Sequence, residues 1–157
     1  MDNSRMTSDP IQRSMDNKMA TTIVRVIVQV TEEHHIAKAR QMAKTLAEDT
    51  GFKEVTTFYV ATSVSELANN LFFHTTQGGT IALVVVRRNG EIGIEVVSED
   101  NGPGIPDVKR AMEDGFTTNG GLGGGLPGVA RLMDEFEITS TVGVGTRIVA
   151  RKWQPCR

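Results

Sequence analysis

Three short islands, in a fixed order along the chain, constrain its fold more than any other feature. They are Ser65-Glu66-Leu67-Ala68-Asn69-Asn70, then Asp100-Asn101-Gly102-Pro103-Gly104, then Gly120-Gly121-Leu122-Gly123-Gly124-Gly125-Leu126-Pro127-Gly128. Each alone is ordinary: a polar helix edge, a turn after a strand, a glycine-rich connection. In this order and spacing they describe one nucleotide pocket, with a metal-holding edge, a base-reading turn and a phosphate-wrapping loop.

The first island falls on a helix predicted over residues 54–74. Val60, Val64, Leu67 and Leu71 recur at helical spacing and form a stripe that faces a core. Glu66 and Asn70 are four residues apart, so their side chains share one face beside that stripe. The amide oxygen of Asn70 is a hard donor suited to Mg²⁺, which usually keeps waters and phosphate oxygens as its other ligands. Glu66, one turn away, is placed to accept a proton from an incoming hydroxyl or water.

The second island follows a hairpin. Asn89-Gly90 joins strands predicted over residues 80–87 and 91–97. The chain is expected to leave the second strand at Ser98-Glu99-Asp100. An ionised Asp100 only accepts hydrogen bonds, which fits the exocyclic amine of adenine. Gly102 and Gly104 let the backbone turn sharply and lie against a flat base. A helix is predicted over residues 106–114, with Pro106 in its first turn.

The third island matches the dinucleotide fingerprint letter for letter at Gly123, Gly125 and Gly128. That fingerprint follows a buried strand, whereas here Met112-Glu113-Asp114-Gly115-Phe116-Thr117-Thr118-Asn119 precedes it. No Gly-Lys-Ser or Gly-Lys-Thr occurs, so the pattern is not a P-loop. It reads instead as a lid, residues 115–125, ending at a helix that starts at Leu126 and runs to residue 134. Backbone N–H groups at such a start bind phosphate.

The three islands resemble the N, G1 and G2 boxes of the GHKL superfamily, the Bergerat-fold ATPases and kinases. Within it, Glu99 to Pro106-Asp107, Met112-Glu113-Asp114-Gly115-Phe116, Gly121 to Val129, Arg131-Leu132-Met133-Asp134-Glu135-Phe136 and Gly145-Thr146 resemble the RsbT-type serine/threonine switch kinases of bacterial stressosomes. The similarity spans roughly residues 23–153. It implies Glu66 as general base, Asn70 as Mg²⁺ ligand and Asp100 as adenine contact, with Gly102 and Gly104 along the base. It also implies Gly121, Gly123 and Gly125 around the phosphates, and Thr146 in support of the adenine contact. The implied cofactors are ATP and Mg²⁺. The implied partners are STAS-domain antagonist proteins as substrates and a PP2C-type phosphatase that the released kinase binds and activates.

Two departures stand out. Anti-sigma-factor kinases of the RsbW and SpoIIAB type carry a longer lid with an arginine near the phosphates, but residues 115–127 here contain no Lys or Arg. Charge neutralisation is left to Mg²⁺, backbone dipoles, and Arg131 or Lys109. Phe73-His74-Thr75-Thr76 replaces the tyrosine- and glycine-like turn expected after the first-island helix. An anti-sigma-factor kinase, a non-catalytic ATP-binding regulatory module and a generic ATPase remain alternatives to the switch kinase.

The rest of the chain is consistent with one such domain. Residues 1–20 are polar, Met-rich and without periodicity, and read as a flexible tail ahead of a histidine-kinase-like ATPase (Bergerat) domain over residues 21–155. A first strand is expected over residues 23–30, then a helix over 32–50 with Thr31 as cap and Gly51 as stop. Strands at 136–141 and 146–153 close the sheet, and Trp153 is expected to pack the last one against the core. The expected fold is α/β, a two-layer sandwich with helices over a mixed, mostly antiparallel sheet. A formal net charge of −2 gives no reason to expect nucleic acid as partner. No apolar run reaches the ~20 residues of a membrane span, and no signal peptide is visible, so a cytoplasmic setting is expected. The single cysteine, Cys156, supports no disulfide framework. His34-His35 read as solvated residues at a helix start, without metal-ligand spacing.

Overall fold

Alternation along the strands sets the architecture. In the first strand Val26, Val28 and Val30 alternate with Arg25, Ile27 and Gln29, and Val28 and Val30 are buried while the alternate residues are exposed. Such a strand can cover a core on one side only. The computed structural model describes residues 24–113 and 124–155. The predicted tail, Gly121, Gly123, Cys156 and most of the predicted lid lie outside the described residues.

The order of elements is β1 (Val24–Val30), α1 (His34–Asp49), α2 (Glu54–His74), β2 (Gly79–Arg88), β3 (Glu91–Asp100), α3 (Val108–Ala111), α4 (Gly125–Leu132), β4 (Glu135–Thr141) and β5 (Gly145–Pro155). The five strands form one sheet in the order β1-β2-β3-β5-β4. The expected mixed sheet is antiparallel at every pairing. Each hairpin pairs antiparallel by construction, and β5 enters beside β3 with the same sense as β2.

One face of the sheet carries the core. Ile81, Leu83 and Val85 of β2, Ile94 and Val96 of β3, and Ile148 and Ala150 of β5 meet Val60, Val64, Leu67 and Leu71 of α2. The predicted stripe on α2 is therefore wholly buried. α1 buries only Ala39, Ala43 and Ala47. These small residues, one turn apart, let its backbone settle closely on α2.

Local chemistry ends the elements. Gly51, with φ +89, closes α1 as expected: its N–H reaches Glu48 O and Phe52 N–H reaches Ala47 O, a Schellman ending. The β2–β3 turn is Asn89-Gly90 with φ 52 and φ 77, the type that matches strand twist. Other expectations are corrected. Thr31 does not cap α1; Glu33 holds that position without a side-chain bond. Pro106 lies before α3 rather than in its first turn, and the helix shrinks to four residues capped by Asp107, whose Oδ1 accepts the Arg110 N–H at 3.0 Å.

Trp153 also departs from expectation. It pairs with Gly93 on the face away from the helices, where a Cβ at Gly93 would lie 2.6 Å from the ring. The Arg88 guanidinium stacks over it, 4.3 Å from the ring centroid, and its indole N–H donates to Glu135. Glu135 also receives Arg88 at 2.9 Å. Burial pushes the Glu135 carboxyl up, but the bonds from Trp153 and Arg88, with the charges of Arg88 and Arg151, outweigh it and hold the group below its ordinary 4.5. A carboxyl depressed in the folded state stabilises the fold above its unfolded value and loses that contribution as pH falls through the folded one. Stability is thus expected to fall below about pH 4.5, and Glu135→Gln should flatten that limb of a urea-denaturation profile. An unchanged acid limb would show that the cluster contributes nothing to pH dependence.

Candidate functional site

The end of the β3–β5 ladder brings the islands together. β3 runs three residues past its expected end at Val97, so Asp100 is its last residue, and its cross-strand partner is Thr146. Both stand on the helix-covered face, in line with Ile148, Ala150, Ile94 and Val96. The second half of α2 passes above them. Between these elements lies a cavity of about 510 Å³, whose wall includes Asn70, Asp100, Gly104, Leu126 and Thr146. That volume is ordinary for a small-molecule site, roughly 300–1,000 Å³. A larger groove of about 750 Å³ between α1 and α2 is bounded by Arg40, Lys44, Phe52 and Phe58 and contains no residue of the three islands.

Each wall has a local cause. Two adjacent asparagines sit on α2, and they part company: Asn69 turns its amide back to Ser65 O at 2.9 Å, whereas Asn70 faces the cavity. Glu66 is buried one turn earlier on α2, outside the cavity wall itself. Asp100 Oδ1 accepts the Gly102 N–H at 2.8 Å, which fixes the carboxylate and leaves its second oxygen for another donor. Gly102 is packed so closely on Thr75 that a Cβ there would lie 3.1 Å from Thr75 Cγ2. Gly104 has φ +77, and a Cβ would meet Thr141 O at 2.5 Å. These two glycines let the turn sink between α2 and the β4–β5 hairpin. Gly125, φ 70, opens α4 after Gly124, and Leu126 follows into the cavity wall.

Several residues escaped the sequence. Ser140 Oγ accepts the Ile105 N–H at 2.7 Å and lies 2.8 Å from Thr146 Oγ1, tying the Asp100–Pro106 turn to both last strands. A serine inside a Thr-Ser-Thr strand gives no local signal of that role. Ser98, His74 and Thr75 also line the cavity. His74 and Thr75 belong to the segment that departs from the family pattern, so the departure is at the pocket wall. Nearby on the surface, Glu32, His34 and His35 place ligand atoms within 4.8 Å of one another. His35 is not simply solvated, because its Nδ1 accepts the backbone N–H groups of Thr31 and Glu32 at 3.1 Å. That leaves the ring proton on Nε2, so neither nitrogen is open to a metal in this arrangement.

Comparison with known proteins decides the family. Residues 28–152 match the histidine kinase-like ATPase domain. The chain belongs to that family. The histidine kinase-like ATPase domain here is 46% identical over 126 residues to the serine/threonine-protein kinase RsbT of Bacillus subtilis, covering 80% of this chain and 94% of that protein. It is 30% identical over 157 residues to an anti-sigma F factor of Caldanaerobacter subterraneus, covering 96% and 94%. In fold it is similar to a solved structure of the RsbU and RsbW domains of a Mycobacterium tuberculosis protein, with TM-score 0.57, 15% identity, and coverage of 86% of this chain and 34% of that longer one.

The pocket suits the nucleotide of an ATPase domain. An acceptor-only carboxylate with one free oxygen, glycines that leave room for a flat ring, and the apolar Leu71, Ile105 and Ile148 surround one cavity. Among the described residues, no helix is long and apolar enough to cross a membrane.

Ser140→Ala should leave the Ile105 N–H without its acceptor in a half-buried turn, a loss of about 1–3 kcal/mol. Urea denaturation should show that loss, and nucleotide affinity should fall with it. Stability within error of wild type would remove Ser140 from the support of the site.

Proposed function

We propose that the protein is a serine/threonine protein kinase that transfers the γ-phosphate of Mg-ATP to STAS-domain antagonist proteins. Released from them, it binds and activates a PP2C-type phosphatase in bacterial stress signalling. The observation that carries this reading is the 46% identity to a serine/threonine kinase across nearly all of that kinase's length. The convergence of Asn70, Asp100 and Thr146 on one cavity supports it.

In this reading the free oxygen of Asp100 accepts the adenine amine, and Thr146, beside Ser140, steadies that end of the pocket. Asn70 is the protein ligand for Mg²⁺, and one amide oxygen is an adequate donor for an ion that keeps most of its waters and phosphate oxygens. When bound, the metal supplies charge neutralisation at the phosphates. Gly121, Gly123 and Gly125, with Leu126 in the first turn of α4, are the residues that would hold the phosphate chain. The substrate hydroxyl oxygen forms a bond to the γ-phosphorus, the bond from that phosphorus to the bridging oxygen breaks, and ADP departs. Glu66 takes the hydroxyl proton.

An anti-sigma-factor kinase is the second reading, supported by the 30% identity to an anti-sigma F factor. The absence of Lys and Arg from residues 115–127 favours the switch kinase.

Asp100→Asn should lower ATP affinity and narrow the preference for ATP over GTP, since a charge-assisted bond of about 1.5–3 kcal/mol becomes a neutral one. Calorimetry with both nucleotides checks this, and an unaltered preference would exclude Asp100 as the base reader. Glu66→Ala should still bind Mg-ATP but transfer phosphate to a STAS-domain protein ~10²–10⁴-fold more slowly. Stimulation of the phosphatase, which depends on contact, should survive. A paired assay on one preparation measures both, and full transfer by the variant would leave Glu66 without a catalytic role.

A further inference from the structure

The two residues one turn before Glu66 carry hydroxyls that the fold buries and leaves idle. Thr62 is 4% exposed and Ser63 0%. Among the described residues, Thr62 Oγ1 and Ser63 Oγ are the buried side-chain polar atoms without a hydrogen-bond partner. We propose that Thr62 and Ser63 are positioning residues, whose hydroxyls hold the Glu66 carboxylate for the proton it takes in phosphate transfer. This assignment rests on the reading of Glu66 as general base.

Helical geometry brings the three groups onto one side of α2. Residues three and four apart are neighbours on a helix, and long side chains lean toward the N-terminus, over the turn before their own Cα. The Glu66 side chain therefore extends over the turn that holds Thr62 and Ser63. One turn beyond Glu66 stands Asn70, at the cavity wall. Thr62, Glu66 and Asn70 thus succeed one another at four-residue spacing beside the apolar stripe.

The idle hydroxyls are out of keeping with the rest of the helices. Serine and threonine on a helix commonly bond the carbonyl one turn back. Thr50 and Thr75, at the ends of α1 and α2, do so at 2.6 Å from Leu46 O and Leu71 O. Thr62 and Ser63 do not, and a buried polar group without a partner lowers stability where an apolar group of the same shape would not. Glu66, itself 6% exposed, is the partner that fits. A buried carboxylate needs donors to stay ionised. Its two oxygens offer about four acceptor sites, so the interaction that Glu66 already makes does not exhaust them. Catalytic hydrogen bonds often come into range only when the reacting groups are in place. A hydroxyl suits this task because it donates to the carboxylate before the transfer and accepts from the carboxylic acid after it. The transferred proton ends on Glu66, and Thr62 and Ser63 keep theirs.

Kinetics and stability of the whole protein, measured with radiolabelled Mg-ATP and a STAS-domain protein as acceptor, test the assignment. Thr62→Val combined with Ser63→Ala removes both hydroxyls at nearly constant shape. The kcat of transfer should fall roughly tenfold or more, while KM for ATP and calorimetric affinity stay within about twofold. The urea midpoint should hold or rise, since no satisfied bond is lost. Thr62→Ser keeps both hydroxyls and should retain most of kcat. Each single removal should give part of the fall, and these variants carry the test if the combined one does not fold. Wild-type kcat without the hydroxyls, or a loss of ATP affinity as large as the loss of kcat, would overturn the proposal. In a Glu66→Ala background the same replacements should cost nothing more. An undiminished further loss there would show that they act elsewhere, and would also overturn it. Full transfer by Glu66→Ala alone refutes the reading of Glu66 as base instead, so the two failures are separable.

Discussion

Asp100 and Thr146 face each other across β3 and β5, and the site depends on that pairing. The two strands are not consecutive, so nothing local enforces their register. It is held by backbone that tolerates only glycine at its end: Gly145 has φ +148, and a Cβ there would lie 2.1 Å from Asp100 O. From this junction the rest of the pocket follows. Asp100 bonds Gly102 and starts the turn, Ser140 holds both Thr146 and Ile105, and Gly143 N–H reaches Pro103 O at 2.9 Å. This end of the cavity is therefore a knot of short side-chain and backbone bonds around one ladder end.

Much of this was legible in the sequence, and the reasons are local. The α2 stripe is a one-dimensional pattern, and helical geometry alone turns Val60, Val64, Leu67 and Leu71 into a buried face. Asn89-Gly90 and Gly51 carry their backbone angles in their chemistry. The misses are tertiary. Pro106 was placed inside a helix by its ring geometry, but Asp107 offered a better cap and the helix began after it. Thr31 lost its expected role because the helix starts only at His34, and the His35 ring accepts the Thr31 and Glu32 N–H groups ahead of it. The length of β3 depends on where β5 stops pairing with it, which no window around Asp100 contains. Ser140 acts on a turn far away in sequence, and only the strand order reveals it.

The uncovered face of the sheet follows a different economy. Val84, Val86, Val97 and Val149 are buried there although, among the described residues, no helix lies over them. Cross-strand neighbours explain it. Arg25, Val84, Glu95, Arg151 and Glu135 form one row across all five strands, with Arg151 Nε 2.7 Å from Glu95 Oε2. Long stems lie along the valines while their heads stay in water. The Arg151–Glu95 pair is itself partly buried, so it covers apolar surface as well as pairing charge. Trp153 extends this cover over Gly93, where the missing Cβ makes room for the ring. The expectation that it faced the core failed because strand parity, not side-chain size, decides the face.

Parity also divides the labour within the pocket. Asp100 and Thr146 owe their position to paired strands, and Asn70 to a helix locked by its own buried stripe. These groups are fixed by the fold before any ligand arrives. The opposite side is built from glycine backbone at Gly124 and Gly125 and from the start of α4. Glycine-rich backbone pays more entropy to become ordered than any other, so contacts at that end must come partly from the ligand's own charge. A pocket built this way offers a ligand fixed groups at the ladder end and glycine backbone at the other.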